Sequence, residues 1–400
     1  MGKIDELIKQ LCQCGIKRAK LVDYAKVQYG FAFNSKLFTE DSANIPLIRI
    51  RDVIPGKPST YYLGEYSDEY IVKKGDILVG MDGNFNLEKW NDRNGLLNQR
   101  VCKIFTKDAV MLLDGFLYHY LKPVFKKIEN SIQGSTVKHL SAKVINGIEI
   151  PLPPLAVQKE IVEILDTFTG MIDNLQKELE QRQKQFEYYC DKFYGDTFEG
   201  MKILGKQPGN KVIRFSELGT ITRGKRFVRD DVREVGQPCI HYGDMYTYYG
   251  THASITKTYL DRDFPKKMRY AEKGDVVIVG AGENDYDIGV GLVWEGEEPA
   301  AVHDACYILK HQQIPMYISY YLRSNIYHKQ LKMYVSSGKI SSFSAEGLGK
   351  VFIPIQTLDK QQEIVDKLDT FEALISNIKQ EIELRQKQYE YYREKLLTFE

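Results

Sequence analysis

The chain has 400 residues, a formal net charge of +1, and 43% hydrophobic against 27% charged residues, the balance of a globular protein of about two or three domains. A nucleic-acid binder of such neutrality must gather its basic residues on one face or work beside a partner that supplies charge. There is no run of eighteen apolar residues, and "MGKIDELIKQL" is charged and amphipathic rather than a cleavable signal, so a membrane span is excluded and a cytoplasmic setting is expected.

In chain order, the first variable block runs near 20–150. Short apolar runs bounded by Gly and Asp, such as Ile77–Val79 and Ile148–Ile150, predict strands, and "GFLYHYLKPVFKKI" (115–128) predicts an amphipathic helix late in the block. Between them "MDGNFNLEKWNDRNGLLNQR" (81–100) concentrates Asn84, Asn86, Lys89, Arg93, Asn98, Gln99 and Arg100. Amide and guanidinium groups make bidentate hydrogen bonds to adenine and guanine edges, although a solvated loop has the same composition.

The segment 151–193 follows, with a narrow apolar seam of Ile161, Leu165, Phe168, Ile172, Leu175, Leu179, Phe186, Tyr189 and Phe193 at alternating steps of four and three. Arg182 is its polar intruder. Heptad spacing of this kind predicts a coiled-coil helix, on the order of 50 Å long at about 1.5 Å per residue.

The second block, near 212–353, repeats the punctuation of the first. "EKGDVVIVG" (272–280) answers "KKGDILVG" (73–80), "QPCIHYGDM" (237–245) answers "IPLIRIRDV" (45–53), and "SGKISSFSAEGLGKVFIP" (337–354) answers "GSTVKHLSAKVINGIEIP" (134–151). Val276–Val279 predicts a strand and "PMYISYYLRSNIYHKQL" (315–331) a helix. "TRGKRFVR" (222–229) gathers Arg223, Lys225 and Arg226, suited to phosphate contacts, though Asp230 and Asp231 follow directly and an ordinary mixed surface reads equally well. "HYGDMYTYYG" (241–250) offers His241 and Tyr242.

The chain then repeats its long helix. Laying residue 151 on residue 354 superposes "PLPPLAVQKEIVEILDTF" on "PIQTLDKQQEIVDKLDTF" without a gap, and the match runs on until "RQKQFEYY" (182–189) meets "RQKQYEYY" (385–392). The second seam is Ile364, Leu368, Phe371, Ile375, Ile378, Ile382, Tyr389, Tyr392 and Leu396, with Arg385 in the place of Arg182. Each copy supplies the partner of matching period that the other needs. The expected fold is therefore α+β: two strand-rich mixed domains separated by two long helices that form a coiled coil, paired within the chain in preference to between chains, with the arginines reaching across or snorkelling from the seam to set register. Boundaries are expected at 1–152 (first domain with an N-terminal helix), 153–198 (first spacer helix), 199–355 (second domain) and 356–400 (second spacer helix).

Catalytic constellations are not evident. The cysteines contain no C-x-x-C pair, the histidines no metal-ligand spacing, and "GAGEND" (280–285) lacks the Lys-Ser/Thr ending of a phosphate-binding loop. No metal and no cofactor are expected.

With these residues in place, the chain resembles the specificity (S) subunits of Type I restriction-modification systems. The resemblance rests on "IPLPPLAVQKEIVEILD" (150–166) and "IPIQTLDKQQEIVDKLD" (353–369) at the ends of the blocks. It rests also on "KIDELIKQLCQCGIKRAKL" (3–21), similar to the family's opening helix, and on "LVDYAKVQYGFAF" (21–33) and "FSELGTITRGKRF" (215–227), similar to its domain starts. One departure is that "PIQTL" (354–358) lacks the double proline of "PLPPL" (151–155). The resemblance implies two target recognition domains, each reading half of a split double-stranded DNA site. It also implies a spacer of two long antiparallel helices that docks two methyltransferase (M) subunits, with restriction (R) subunits joining through them, and a chain that is not itself catalytic. Base readout is then expected on loops 82–100 and 133–138, with Ser135, Thr136 and Lys138, and on 282–287, 303–304 and 336–341, with Asn284, Tyr286, His303, Asp304, Ser336, Lys339 and Ser341. A coiled-coil scaffold organising protein partners without DNA readout is the rival from another class.

Overall fold

A computed structural model describes residues 6, 10–11, 15–132, 138–264, 267–282, 288–336, 338 and 340–399. The chain forms two compact units, Met1–Leu175 with Glu381–Glu400, and Gln176–Gln380. No helix among the described residues is long and apolar enough to cross a membrane.

In the first unit a four-stranded antiparallel sheet has the order Ala25–Tyr29, Val101–Thr106, Ile77–Gly80, Leu87–Lys89. A second, mixed sheet has the order Phe38–Thr39, Tyr61–Tyr62, Ile45–Ile48, Gly95–Leu97, Ile71–Val72, with Ile45–Ile48 and Gly95–Leu97 parallel. The second unit repeats this plan. Its first sheet runs Gly219–Arg223, Cys306–His311, Val276–Val279, Gly291–Trp294, with His252–Ala253 added at the edge, and its second runs Val232–Arg233, Thr258–Leu260, Gln237–Ile240, Ala300–Val302, Tyr270–Ala271. Gln237–Ile240 and Ala300–Val302 are again the parallel pair.

The shared punctuation of the sequence has a local cause. Gly75 and Gly274 take φ of 95° and 91°, a left-handed conformation that favours glycine, and donate to the carbonyls of Trp90 and Trp294. Asp76 and Asp275 close the same turns by accepting from Lys73 N and Glu272 N, each at 2.8 Å. Trp90 and Trp294 are buried with their indole N–H groups on the carbonyls of Arg93 and Glu298.

The two long helices are Leu155–Tyr194 and Leu358–Leu397, 40 residues each. In the first unit the opening part of one lies beside the closing part of the other, with Phe168 stacked on Tyr392 at 5.1 Å between ring centroids. In the second unit Phe371 stacks on Tyr189 at 5.2 Å. The same contact is thus made once per unit by equivalent residues, as antiparallel pairing requires. Ile161, Leu165, Ile172, Ile364, Leu368, Ile378 and Ile382 are buried, and Phe168, Leu175, Leu179, Phe371 and Ile375 are partly buried. Arg182 and Arg385 do not reach across. Arg182 bonds Glu178 at 3.3 Å and Gln185 at 3.0 Å, and Arg385 bonds Glu381 at 3.2 Å and Gln388 at 3.0 Å, so each arginine is held along its own helix.

Two further corrections concern local structure. The helix expected over 315–331 is broken into Pro315–Tyr321 and Asn325–Leu331. Ser324 causes the break: its hydroxyl donates to Tyr321 O at 2.7 Å and accepts from Tyr327 N at 3.3 Å, capping a new helix. The expected opening helix lies largely outside the described residues, and its end, Arg18–Lys20, is a strand paired with Glu149–Pro151.

The late helix of the first unit, Asp114–Ser131, is anchored to the long helices by polar groups. His119, fully buried, places Nε2 2.8 Å from Asp166 Oδ1 and Nδ1 3.0 Å from the Tyr389 hydroxyl. Burial holds the imidazole below its ordinary 6.5, with the Asp166 contact pulling the other way and the charges of Lys89 and Lys122 adding to the depression. Its contribution to stability is therefore complete above pH 6.5 and is lost as the pH falls from 6.5 through the lower folded value. His119→Gln is expected to flatten the pH dependence of the unfolding free energy just below pH 6.5, measured by urea titration over a pH series. An unchanged slope would place that acid sensitivity elsewhere.

Candidate nucleic-acid interface

In both units the strand that ends the parallel pair leads into a tight turn and then into the central strand of the first sheet. In the first unit the turn is Asn98–Gln99–Arg100, between Gly95–Leu97 and Val101–Thr106. In the second it is His303–Asp304–Ala305, between Ala300–Val302 and Cys306–His311. A glycine of the domain start lies flat against each turn. A Cβ on Gly30 would stand 2.0 Å from Asn98 O, and one on Gly224 would stand 2.2 Å from His303 O. "YGFAF" and "RGKRF" thus carry the same close approach.

In the second unit several residues singled out in the sequence converge. Arg226, His241, Tyr242, His303 and Asp304 line one cleft of about 370 Å³, together with Phe227. The rings of His241 and His303 are 4.6 Å apart, and Phe227 meets His303 edge-on at 5.0 Å. His303 accepts from Ala305 N at its Nδ1 and donates from Nε2 to Phe227 O, both at 3.1 Å, which defines a neutral imidazole. Burial, and then the neighbouring His241, push its pKa down to about 4. His241 accepts from Gly243 N at Nδ1 and is likewise held below its ordinary range by burial, against the pull of Asp244 and Asp304. Arg223 borders the cleft, its Nε donating to Asp304 O at 2.7 Å, and Lys225 is exposed beside Arg226. Ser336 is exposed and bridged to Ser342, whereas Ser341 is buried in the strand paired with Ala281–Gly282. Asn284, Tyr286 and Lys339 lie outside the described residues, as do Ser135 and Thr136 of the first unit.

In the first unit the exposed edge holds Asn84, Gln99 and Arg100, with Asn86 and Lys138 half-buried. Asn98 is buried, and its Oδ1 has no protein partner. Two of the expected residues have structural work. Arg93 donates to the carbonyls of Ser42 and Asn44 and lies over the Tyr61 ring, while Lys89 sits 4.7 Å over Tyr118 and 3.5 Å from Asp166. The sequence reading passed over Asp82 and His139. Asp82 takes the Arg100 guanidinium on one oxygen and His139 Nδ1 on the other, the latter at 2.6 Å. Burial raises the Asp82 carboxyl, but the hydrogen bonds and charges of His139 and Arg100 outweigh it and hold the group below the usual carboxylate range. Among the described residues no group of three His, Cys, Asp or Glu side chains could hold a metal.

These geometries can be set beside known proteins. The family model for the Type I restriction modification DNA specificity domain matches residues 15–182 and 208–384, so both halves of the chain belong to that family. The chain is accordingly a specificity subunit of a Type I restriction-modification system, itself non-catalytic, which recognises a bipartite target and assembles with the other subunits. This decides between the DNA reader and the scaffold that the sequence had left open. The EcoBI specificity subunit of Escherichia coli is 28% identical over 389 residues, covering 91% of this chain and 81% of that protein. A putative specificity subunit of Haemophilus influenzae is 29% identical, covering 84% and 86%. The crystal structure of the S subunit from M. genitalium shares the fold with a TM-score of 0.57 at 18% identity, covering 96% of each chain.

The close approach of Gly224 yields a direct test. Gly224→Ala places a methyl group against the His303 carbonyl. It is expected to cost about 1–3 kcal/mol of stability, the usual range for overpacking, measured by denaturant unfolding. A neutral substitution would show that the turn yields freely.

Proposed function

We propose that each unit reads one half of an asymmetric double-stranded DNA site through the turn described above, as target recognition domains spanning 1–152 and 199–355. The observation that supports this most is chemical difference at a shared place. Where the two units have the same topology, one presents Gln99 and Arg100 beside the buried Asn98, and the other presents His303 and Asp304 beside His241 and Tyr242, with Arg226 placed for a phosphate. One scaffold with two edge chemistries accounts for two different half-sites. Asn84, Asn86 and Lys138 border the first edge; Arg223, Lys225 and Ser336 border the second and serve phosphates and neighbouring bases.

The repeated phrase of the long helices supplies a docking place used twice. Within "RQKQFEYY" and "RQKQYEYY", Phe186 and Tyr389 face the late helices of their units, through Tyr320 and His119, and Tyr189 and Tyr392 stack on the partner helix. Tyr188 and Tyr391 remain 55% and 59% exposed. These two tyrosines receive two methyltransferase subunits, one each, and restriction subunits join through them. The work is done in the cytoplasm, beside the DNA, and the chain brings no cofactor of its own.

Selection from a randomised duplex pool, with the chain assembled on its methyltransferase, tests the reading. An asymmetric bipartite site is expected, and a palindromic or continuous one would overturn the proposal. Arg226→Ala is expected to weaken all sequences about alike and to reduce the salt slope by about 1, the signature of a phosphate contact. For docking, Tyr188→Ala and Tyr391→Ala are each expected to lose one methyltransferase subunit, and the double substitution both, measured from the mass of the assembled complex. Full stoichiometry in the double variant would move the docking place elsewhere.

A further inference from the structure

The two turns have the same length but not the same backbone. Three residues separate Leu97 from Val101, and three separate the equivalent Val302 from Cys306, with Gly30 N and Gly224 N donating to the carbonyls of Val101 and Cys306. The first unit's turn is closed by Val101 N on Asn98 O at 3.2 Å, as the second's is by Cys306 N on His303 O at 3.0 Å, but it puts Arg100 at φ 70°, the one non-glycine with positive φ among the described residues. Such a position ordinarily falls to glycine or asparagine. The backbone of Arg100 is further fixed by its carbonyl, which accepts from Met81 N at 2.8 Å. The next residue, Asp82, is tied back by the bridge to His139.

The side chains repeat this tethering. The Asp82 side chain is 12% exposed, whereas those of Arg100 and His139 are 64% and 61% exposed. A carboxylate at the base thus holds two donors at the rim. We propose that Asp82 is a positioning residue, presenting the Arg100 guanidinium with His139 beside it to a base edge that offers two acceptors, so that the half-site read by the first unit contains a guanine. Guanine shows O6 and N7 together in the major groove, and arginine matches that pair in a bidentate way. Adenine offers an acceptor beside a donor, which a guanidinium cannot satisfy. This inference rests on the reading of the first unit as a half-site reader.

The test uses the full chain with its methyltransferase, the randomised duplex pool, and the variants Asp82→Asn, Arg100→Ala, Arg100→Gly and the Asp82→Asn/Arg100→Ala pair. The unsubstituted chain should select a guanine within one half-site. Arg100→Ala should lose roughly 10- to 100-fold of discrimination at that position. Asp82→Asn should relax the same position, leave the other half-site unchanged, and add nothing further to Arg100→Ala. Arg100→Gly should lose the preference while melting at or above the temperature of the unsubstituted chain, because glycine takes positive φ freely. A merely structural Asp82 predicts otherwise: uniform weakening of all sequences with the guanine preference intact, which would overturn the proposal. Retention of that preference in Arg100→Ala or Arg100→Gly would overturn it as well, and the glycine variant decides the matter should Asp82→Asn fail to fold. Absence of any half-site selection by the unsubstituted chain would instead defeat the functional reading beneath it.

Discussion

A helix with a heptad seam exposes a stripe too narrow to form a globular core, so it is stable only against a partner of the same period. Everything else in this protein is arranged around that demand. Each unit meets it with parts of both long helices and then fastens its own late helix to them through buried polar groups. Gln158, fully buried, accepts from Leu113 N at 2.9 Å and donates to Pro153 O at 2.8 Å; its counterpart Gln361 accepts from Ile314 N at 3.2 Å and donates to Gln356 O at 2.8 Å. Each amide thereby satisfies a backbone donor at the entry of a late helix, one of the groups that a helix cannot satisfy itself. Leaving such a donor buried and unpaired costs about 1–3 kcal/mol, which is why a plain-looking glutamine is the same in both copies.

The second fastening shows how the duplicated frame tolerates change. Asp166 holds His119, and its equivalent Asp369 holds the hydroxyl of Tyr320 at 2.5 Å. Tyr389 packs on the His119 ring at 5.8 Å, and the equivalent Phe186 on the Tyr320 ring at 5.9 Å. The carboxylate is kept, the donor differs, and the ring that covers it follows. A histidine fastening carries a titration, held by burial below its ordinary 6.5, that the tyrosine one lacks, so the two fastenings differ in their response to acid.

How much of this was legible in the chain follows from the range of each interaction. The seams, the duplication and the Lys-Gly-Asp turns are written in neighbouring residues at fixed periods, and all of them stand in the structure. The break at Ser324 was hidden because an apolar face continues on both sides of it, and only the serine's two hydrogen bonds tell one helix from two. Fastenings such as His119 with Asp166, or Asp82 with His139, join residues whose distance along the chain carries no period. Polarity alone also says nothing of what holds the edge: Lys89 and Arg93, read from the sequence as base readers, make cation–π and carbonyl contacts within the unit, and an acidic residue, Asp82, ties Arg100 and His139 at the rim.

The energetics of the two turns separate their roles from mere upkeep of the fold. A left-handed backbone at a non-glycine residue costs about 1–2 kcal/mol, and an exposed ion pair such as that of Arg100 returns at most ~1 kcal/mol. The left-handed conformation of Arg100 is therefore not retained for stability, and an outlier of this kind points to function. In the second unit the equivalent place holds two imidazoles whose charging burial disfavours, His303 with both nitrogens engaged by Ala305 and Phe227 and His241 with Nδ1 on Gly243 N, beside the Asp304 carboxylate, which accepts. A guanidinium only donates. Two edges of one topology thus differ in hydrogen-bond grammar, a difference of side chains rather than of fold.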